Sequence, residues 1–344
     1  MNKKDTRFTR TSNTIPQSAL ADSLLAGSGS PSVALRRLPN GEHLYQREPI
    51  ITVKAPAKIN LTLDIVGKRA DGYHDVAMVM QTVSLYDTVT VERLSGEGDG
   101  ITVSCPRYPD VPTDDSNIVC KAARAFFDKT HITPTPLSIT IDKEIPTQAG
   151  LAGGSTDGAA VVLALNQLFE TRLSMDEMAR ICARFGSDVP FCLLGGTMLA
   201  TGTGTTLKKL RAMSDCHIVI CKPEISVSTA AAYAACDARE PKGFLYTDEL
   251  IKRLYSRDIR GLSTCLYNEF EQVMELPEIN EIKREMIACK ALGASMSGSG
   301  SAVYAIFLNQ KKAEKCVNIL KEKYNNVFLT KPLKDGCRVE KVEP

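Results

Sequence analysis

Tryptophan is absent from this 344-residue chain, and Phe and Tyr bring the aromatics to only 6%. An aromatic-rich stacking surface for single-stranded nucleic acid is therefore not expected. Histidine is scarce as well: His43, His74, His131 and His217 are the four. None stands near a cysteine at finger-like spacing, and there is no CxxC, so a His-based zinc site is not expected either. Net charge is nearly missing, at +2, which leaves no global field for a polyanion and no expectation of nucleic-acid or membrane binding. No apolar run approaches the roughly 20 residues needed to span a bilayer. A secretory pattern of basic start and apolar core is lacking too.

Cysteine is the exception, with eleven residues from Cys105 to Cys337. Most sit inside apolar runs, as Cys182, Cys192, Cys221 and Cys289 do, and read as small buried hydrophobes in a reducing, cytoplasmic setting. Hydrophobic residues make up 43% and charged residues 24%, with a mean hydropathy of −0.10, the composition of a soluble globular protein. The length fits one large domain or two ordinary ones.

The first 48 residues differ from the rest. They are rich in Ser, Thr, Pro and Arg, and cannot bury enough apolar surface to offset ordering entropy. Residues 1–48 are expected to be a disordered extension; Asp5 and Asp22 weigh against a transit peptide. From Pro49 onward the pattern predicts strands at 51–54, 61–66, 76–85, 88–94, 101–105 and 137–142, with Ala55-Pro56-Ala57 interrupting the first pair. A helix is expected over 116–130, capped by Asp115 or Ser116, another running to about Leu168, and a third opened by the capping box Ser174-Met-Asp-Glu177. The character changes around 205–216. Beyond it, a buried strand at His217–Cys221 precedes helical patterns at 229–237, 248–254, 269–274 and 278–291. A strand at 302–307, a helix at 311–324 and a strand at 327–330 follow. Strands mixed with helices, without strict βαβ alternation, predict an α+β protein of two domains, 49–212 and 213–337.

Three glycine-containing segments carry the chemistry. Ile145-Pro-Thr-Gln-Ala-Gly-Leu-Ala-Gly-Gly-Ser-Thr-Asp157 joins a strand to an apolar helix, the arrangement in which backbone N–H groups and the helix dipole receive phosphate. No Lys-Ser or Lys-Thr pair follows, so it is not a Walker A loop, and GxGxxG cannot be written on it. Pro56-Ala-Lys-Ile-Asn60 places Lys58 and Asn60 on one face of a strand. That face is either a solvated strand end or a costly buried pair with a reason to exist. Asp71-Gly-Tyr-His74 is a turn bearing an aromatic and an imidazole. Ser295-Met-Ser-Gly-Ser-Gly-Ser301 is either a flexible loop or backbone passing close to another segment or a ligand. In Gly186-Ser-Asp-Val-Pro190, Asp188 is read at the end of a helix, where a carboxylate opposes the dipole and needs a cation or a job.

In this order the segments resemble the GHMP kinase superfamily. Pro56–Asn60 with Asp71–His74, Ala152–Asp157 and Gly186–Pro190 are most similar to the branch whose acceptor is 4-diphosphocytidyl-2-C-methyl-D-erythritol. The resemblance covers residues 51 to 330. It implies an N-terminal domain of the ribosomal S5 domain 2-like type, a ferredoxin-like C-terminal domain and a site in the cleft between. It implies a kinase using ATP and Mg²⁺ on the acceptor's 2-hydroxyl, in the non-mevalonate route to isoprenoid precursors. By the same resemblance, Asp188 matches the catalytic base and Lys58 the catalytic lysine. Pro146, Thr147, Gln148, Ala149, Gly150, Leu151, Ala152, Gly153, Gly154, Ser155 and Thr156 match the ATP phosphate loop. Asn60, Tyr73 and His74 match substrate-binding positions, the last two meeting the cytosine, with Thr229 and Tyr233 as further contacts. Gly298 and Gly300 would close the cleft from the other domain. No metal ligand is assigned, and the expected state is a monomer or weak homodimer. The alternatives are a mevalonate- or homoserine-type kinase of the superfamily, or a non-catalytic nucleotide-binding protein on its fold. The loop departs from the family in Ala149, Ala152 and Thr156; alanine costs nothing there if φ is negative.

Overall fold

The computed structural model describes residues 49–238 and 244–343, together with the backbone of β1 (Val33–Arg37) and β2 (His43–Arg47). These two strands pair antiparallel, so the segment expected to be an extension contains a hairpin; its remainder lies outside the described residues.

The frame of the molecule is a pair of very long strands, β3 (Ile50–Lys68) and β4 (His74–Arg93). The sequence predicts each as two shorter strands. They are continuous because bulges, at Pro56/Lys58, Asn60/Thr62 and Ile65/Gly67, absorb the irregularities that looked like breaks. Pro56, which lacks a ladder donor, is tolerated beside the first bulge. Each strand then serves two sets of neighbours. The far half of β4 pairs β6 (Leu137–Asp142), whose other edge takes β5 (Ile101–Ser104); its near half pairs β7 (Thr197–Gly202), followed by β8 (Thr206–Lys209). A four-stranded sheet follows in the order β11 (Gly293–Met296), β12 (Val303–Phe307), β9 (His217–Lys222), β13 (Asn326–Thr330), antiparallel throughout. Two strands return late in the chain to β3: β10 (Tyr267–Asn268) and β14 (Arg338–Glu343). Nothing in their local pattern predicts this.

Among the described residues, ten helices pack on these sheets. Against the first lie α1 (Ile118–Thr130), α2 (Gly153–Leu168), α3 (Met175–Cys182) and α4 (Val189–Leu194). The second part contributes α5 (Thr229–Asp237), α6 (Tyr246–Tyr255), α7 (Ile259–Thr264), α8 (Glu269–Val273), α9 (Pro277–Ala288) and α10 (Gln310–Lys321). The cap of α1 is Asn117, whose side chain accepts from Val119 N at 3.0 Å, rather than Asp115 or Ser116. The capping box at Ser174 and Glu177 forms as expected. All eleven cysteines are free thiols, buried except for half-buried Cys289. No helix among the described residues is long and apolar enough to cross a membrane.

Candidate active site

The bulge at Pro56/Lys58 turns Lys58 and Asn60 toward the helices. Before the first bulge, Ile51, Val53 and Ala55 belong to the core beneath α2; after it, Ala57, Ile59 and Leu61 belong to a second core on the other face. The even-numbered residues therefore change sides with them. Lys58 and Asn60 are buried, not solvated, at 4% and 1% exposure. Lys58 Nζ donates to Asn60 Oδ1 at 2.6 Å. Asn60 Nδ2 contacts Met78 Sδ at 3.1 Å, and its carbonyl accepts from the buried Tyr304 hydroxyl at 2.8 Å.

Both residues line a cleft of about 660 Å³, within the size range of small-molecule sites. Its floor is the loop from Pro146 to Gly154 with Ser155. The residue before α2, Ala152, is left-handed at φ 58° and gives no side-chain cap, so the first N–H groups of this 16-residue helix are not occupied by a capping side chain. Alanine is thus not free of cost at position 152, where φ is positive; the left-handed region costs a Cβ-bearing residue about 1–2 kcal/mol. Ala149 avoids it. Thr156 does not join the cleft: it is fully buried and its hydroxyl lies 3.6 Å from Cys337 Sγ.

The second glycine segment lies directly on the first. Ser297 Oγ donates to Gly150 O at 2.9 Å and accepts from Asn60 N at 3.2 Å, while Ala302 N donates to Ala149 O at 3.0 Å. It is packed backbone rather than a flexible loop. Gly150 has φ 73°, and a Cβ there would lie 2.0 Å from Ser297 O. Gly150→Ala is therefore expected to separate the two loops and cost at least about 2 kcal/mol, from overpacking and backbone strain together. Chemical denaturation checks this; an unchanged midpoint would contradict it. Asn268, which no sequence signal marked, holds the same segment: its Nδ2 donates to Met296 O at 2.9 Å and Gly298 O at 2.8 Å.

Asp188 stands at the start of a helix, not at the end of one. It is the residue before α4, with Pro190 in the first turn, where proline's missing N–H is not needed. The dipole there favours the carboxylate. Asp188 Oδ2 lies 3.6 Å from Lys58 Nζ, with the lysine side chain at 5% exposure and the aspartate at 29%. The C-terminal segment braces this helix, since Cys337 N donates to Cys192 O at 3.1 Å.

Beside the phosphate-type loop lies a charge cluster that spacing did not reveal. Lys143 Nζ donates to Asp87 Oδ2 at 2.5 Å and to Asp157 Oδ2 at 2.7 Å, all three side chains being buried. Asp87 Oδ1 also accepts from the backbone N–H of Glu144 and Ile145, at 2.7 and 2.8 Å, which fixes the entry to the loop. Burial alone would lower the Lys143 pKa, but the two carboxylates outweigh it and raise the group. Burial, reinforced by Asp87, pushes the Asp157 carboxyl well above the usual range against the pull of Lys143. Asp157 is thus engaged by this lysine. Among the described residues no group of three or more His, Cys, Asp or Glu side chains could hold a metal ion.

The residues expected at the substrate divide into two sets. Thr229 and Tyr233 line the cleft, and Thr229 Oγ1 donates to Ser299 Oγ at 2.8 Å. Tyr73 and His74 do not line it. Tyr73 is 68% exposed on the β3–β4 turn. The His74 ring stacks on Tyr233 at 4.6 Å between centroids, and its Nε2 bonds Asp237 Oδ1 at 2.6 Å. Tyr233 in turn meets Phe270 edge-on at 5.0 Å, extending an aromatic wall into the cleft.

Comparison with known proteins gives three concordant results. The family model described as the GHMP kinases N terminal domain matches residues 117–196, and that described as GHMP kinases C terminal matches 250–326. A 4-diphosphocytidyl-2-C-methyl-D-erythritol kinase of Clostridium botulinum (strain Alaska E43 / Type E3) is 41% identical over 82% of this chain and 99% of its own. One from Clostridioides difficile (strain 630) is 41% identical over 84% of this chain and 97% of its own. Among solved structures, a 4-(cytidine 5'-diphospho)-2C-methyl-D-erythritol kinase superposes with a TM-score of 0.69 at 29% identity, over 82% of this chain and 99% of that one. A homoserine kinase from Cytophaga hutchinsonii superposes with a TM-score of 0.70 at 20% identity, a likeness of fold.

Proposed function

The chain belongs to the GHMP kinase family, and from that premise we propose that it transfers the γ-phosphoryl group of ATP to the 2-hydroxyl of 4-diphosphocytidyl-2-C-methyl-D-erythritol, an intermediate of the non-mevalonate route to isoprenoid precursors. The observation that carries the chemistry is the approach of Lys58 to Asp188, 3.6 Å apart in the cleft that the glycine loop also lines.

In this reading the loop Pro146–Ser155 and the first turn of α2 receive the phosphates through backbone N–H groups. Thr156 takes no part in it: its side chain is turned away and its N–H donates to Ala152 O at 2.9 Å. A secondary alcohol is a poor nucleophile, so Asp188 accepts the hydroxyl proton while the oxygen bonds to the γ-phosphorus. The bond from that phosphorus to the β–γ bridging oxygen breaks, and ADP leaves. Lys58 orients Asp188, and its ammonium offsets charge on the transferring group. Asn60 fixes Lys58 by accepting from its ammonium. Mg²⁺ fits the start of α2, where the half-buried Ser155 hydroxyl that lines the cleft would hold it; such an ion needs few protein ligands and would neutralise phosphate charge. Tyr73, His74 and Tyr233 suit the cytosine, with the His74 imidazole acting behind Tyr233 rather than at the base edge.

A mevalonate- or homoserine-type acceptor is the competing reading. The aromatic wall argues against it, because a small acid has no use for stacked rings. An ATP-coupled assay with the three acceptors decides: turnover is expected with the cytidine-diphosphate-linked polyol alone. Turnover with mevalonate or homoserine and none with that polyol would reassign the substrate.

A further inference from the structure

The last paired residues of the β3–β4 ladder are Lys68 and His74, which flank the turn that carries Tyr73. Both reach the same carboxylate. Lys68 Nζ lies 2.5 Å from Asp237 Oδ2, and His74 Nε2 lies 2.6 Å from Asp237 Oδ1, although Asp237 is 169 and 163 residues away in sequence. A carboxylate can only accept, so Nε2 of His74 carries the proton and the ring is fixed in orientation. The side chains are unequally buried, with His74 at 9% exposure, Asp237 at 27% and Lys68 at 55%.

Asp237 is the last residue of α5, one turn beyond Tyr233 on the same face. The turn itself is stiff, since Arg69 N donates to Tyr73 O at 2.8 Å and Tyr73 N to Asp71 Oδ1 at 3.1 Å. Its position relative to α5 is therefore set by whatever joins hairpin to helix, and the two oxygens of Asp237 provide that joint with the His74–Tyr233 stack beside it. We propose that Asp237 is a positioning residue for the acceptor: it latches the Tyr73 turn to the Tyr233 helix and so sets the spacing of the surfaces that receive the nucleobase. The proposal rests on the base-binding reading of Tyr73 and Tyr233 above. An isolated exposed ion pair contributes little to stability, which makes a role in geometry the better account of two donors converging on one group.

Steady-state kinetics on the full chain test it. Asp237→Ala is expected to raise KM for 4-diphosphocytidyl-2-C-methyl-D-erythritol about tenfold, with kcat and the ATP KM within about twofold. Asp237→Asn, which still accepts from His74, should recover most of the loss. In a Lys68→Met/His74→Phe background, Asp237→Ala should add less than about a twofold change, as expected for residues that act as one unit. An unchanged acceptor KM in Asp237→Ala, where Tyr233→Ala raises it, overturns the latch and leaves the base pocket standing. An undiminished effect in the double-variant background also overturns it, by making Asp237 a direct contact. If Tyr233→Ala leaves the acceptor KM untouched as well, the base-pocket reading fails and the latch with it.

Discussion

Asp188→Asn is expected to lower kcat by about a hundred- to a thousandfold while ATP still binds. The amide keeps the shape of the carboxylate at the start of α4 but cannot take the hydroxyl proton. The loss is placed in the lower part of the range for general-base removal, because phosphoryl transfer depends mainly on positioning and charge. Lys58→Met should fall in the same range for a different reason: it leaves Asp188 without its cation at 3.6 Å and removes the donor that engages Asn60. As the two side chains act together, Lys58→Met/Asp188→Asn should be little worse than either single variant. Coupled-assay kcat with nucleotide affinity from calorimetry checks all three. Near-normal turnover in Asp188→Asn would remove the base assignment, and lost ATP affinity would make Asp188 a nucleotide contact instead.

What could be read in advance was what is local. The phosphate-type loop is written in thirteen consecutive residues, and the strand–glycine–helix order needs no distant partner to be recognised. Lys58 and Asn60 were placed on one face by alternation, but the bulge that aims that face at the helices depends on which strands flank β3. Those include β10 and β14, whose partners lie far along the chain. Asp188 belongs to the start of a helix rather than its end because proline in a first turn is as much a beginning as a terminator. The turn shows the His74 imidazole but not its partner Asp237, 163 residues downstream. Lys143 offered one weak local hint, a cation at a strand end just before the glycine loop. Asp87 gave none. A buried charge is legible only together with its counter-charges, and these come from β4 and α2.

That cluster gives the second large effect, on stability rather than turnover. Lys143→Met removes the only cation bonded to Asp87 and Asp157 among the described residues and leaves two buried carboxylates without it, Asp87 keeping its two backbone N–H donors. Stranding one partner of a buried pair costs about 3–5 kcal/mol. Methionine fills the stem volume, so little of the loss would come from a cavity. The sign of the pH dependence follows from which state holds protons. In the variant the folded carboxyls, deprived of the ammonium, stay protonated well above the pH at which the unfolded chain releases its protons. Stability is then highest in acid and falls as pH rises, by about 1.4 kcal/mol per pH unit for each proton retained. Asp157→Asn should do the reverse relative to the parent chain. The parent's Asp157 is already raised, so its contribution is present below the usual carboxyl range and lost as pH rises through the folded value. Removing that group makes the variant progressively more stable than the parent toward neutral pH, provided the amide is accommodated beside Lys143. Urea unfolding of the three proteins between pH 5 and 8 measures both slopes. Parallel curves for Lys143→Met and the parent would mean that the stranded carboxylates are solvated or paired elsewhere. A pH-independent difference for Asp157→Asn would mean that the parent's Asp157 is ionised throughout, held by Lys143 despite its burial.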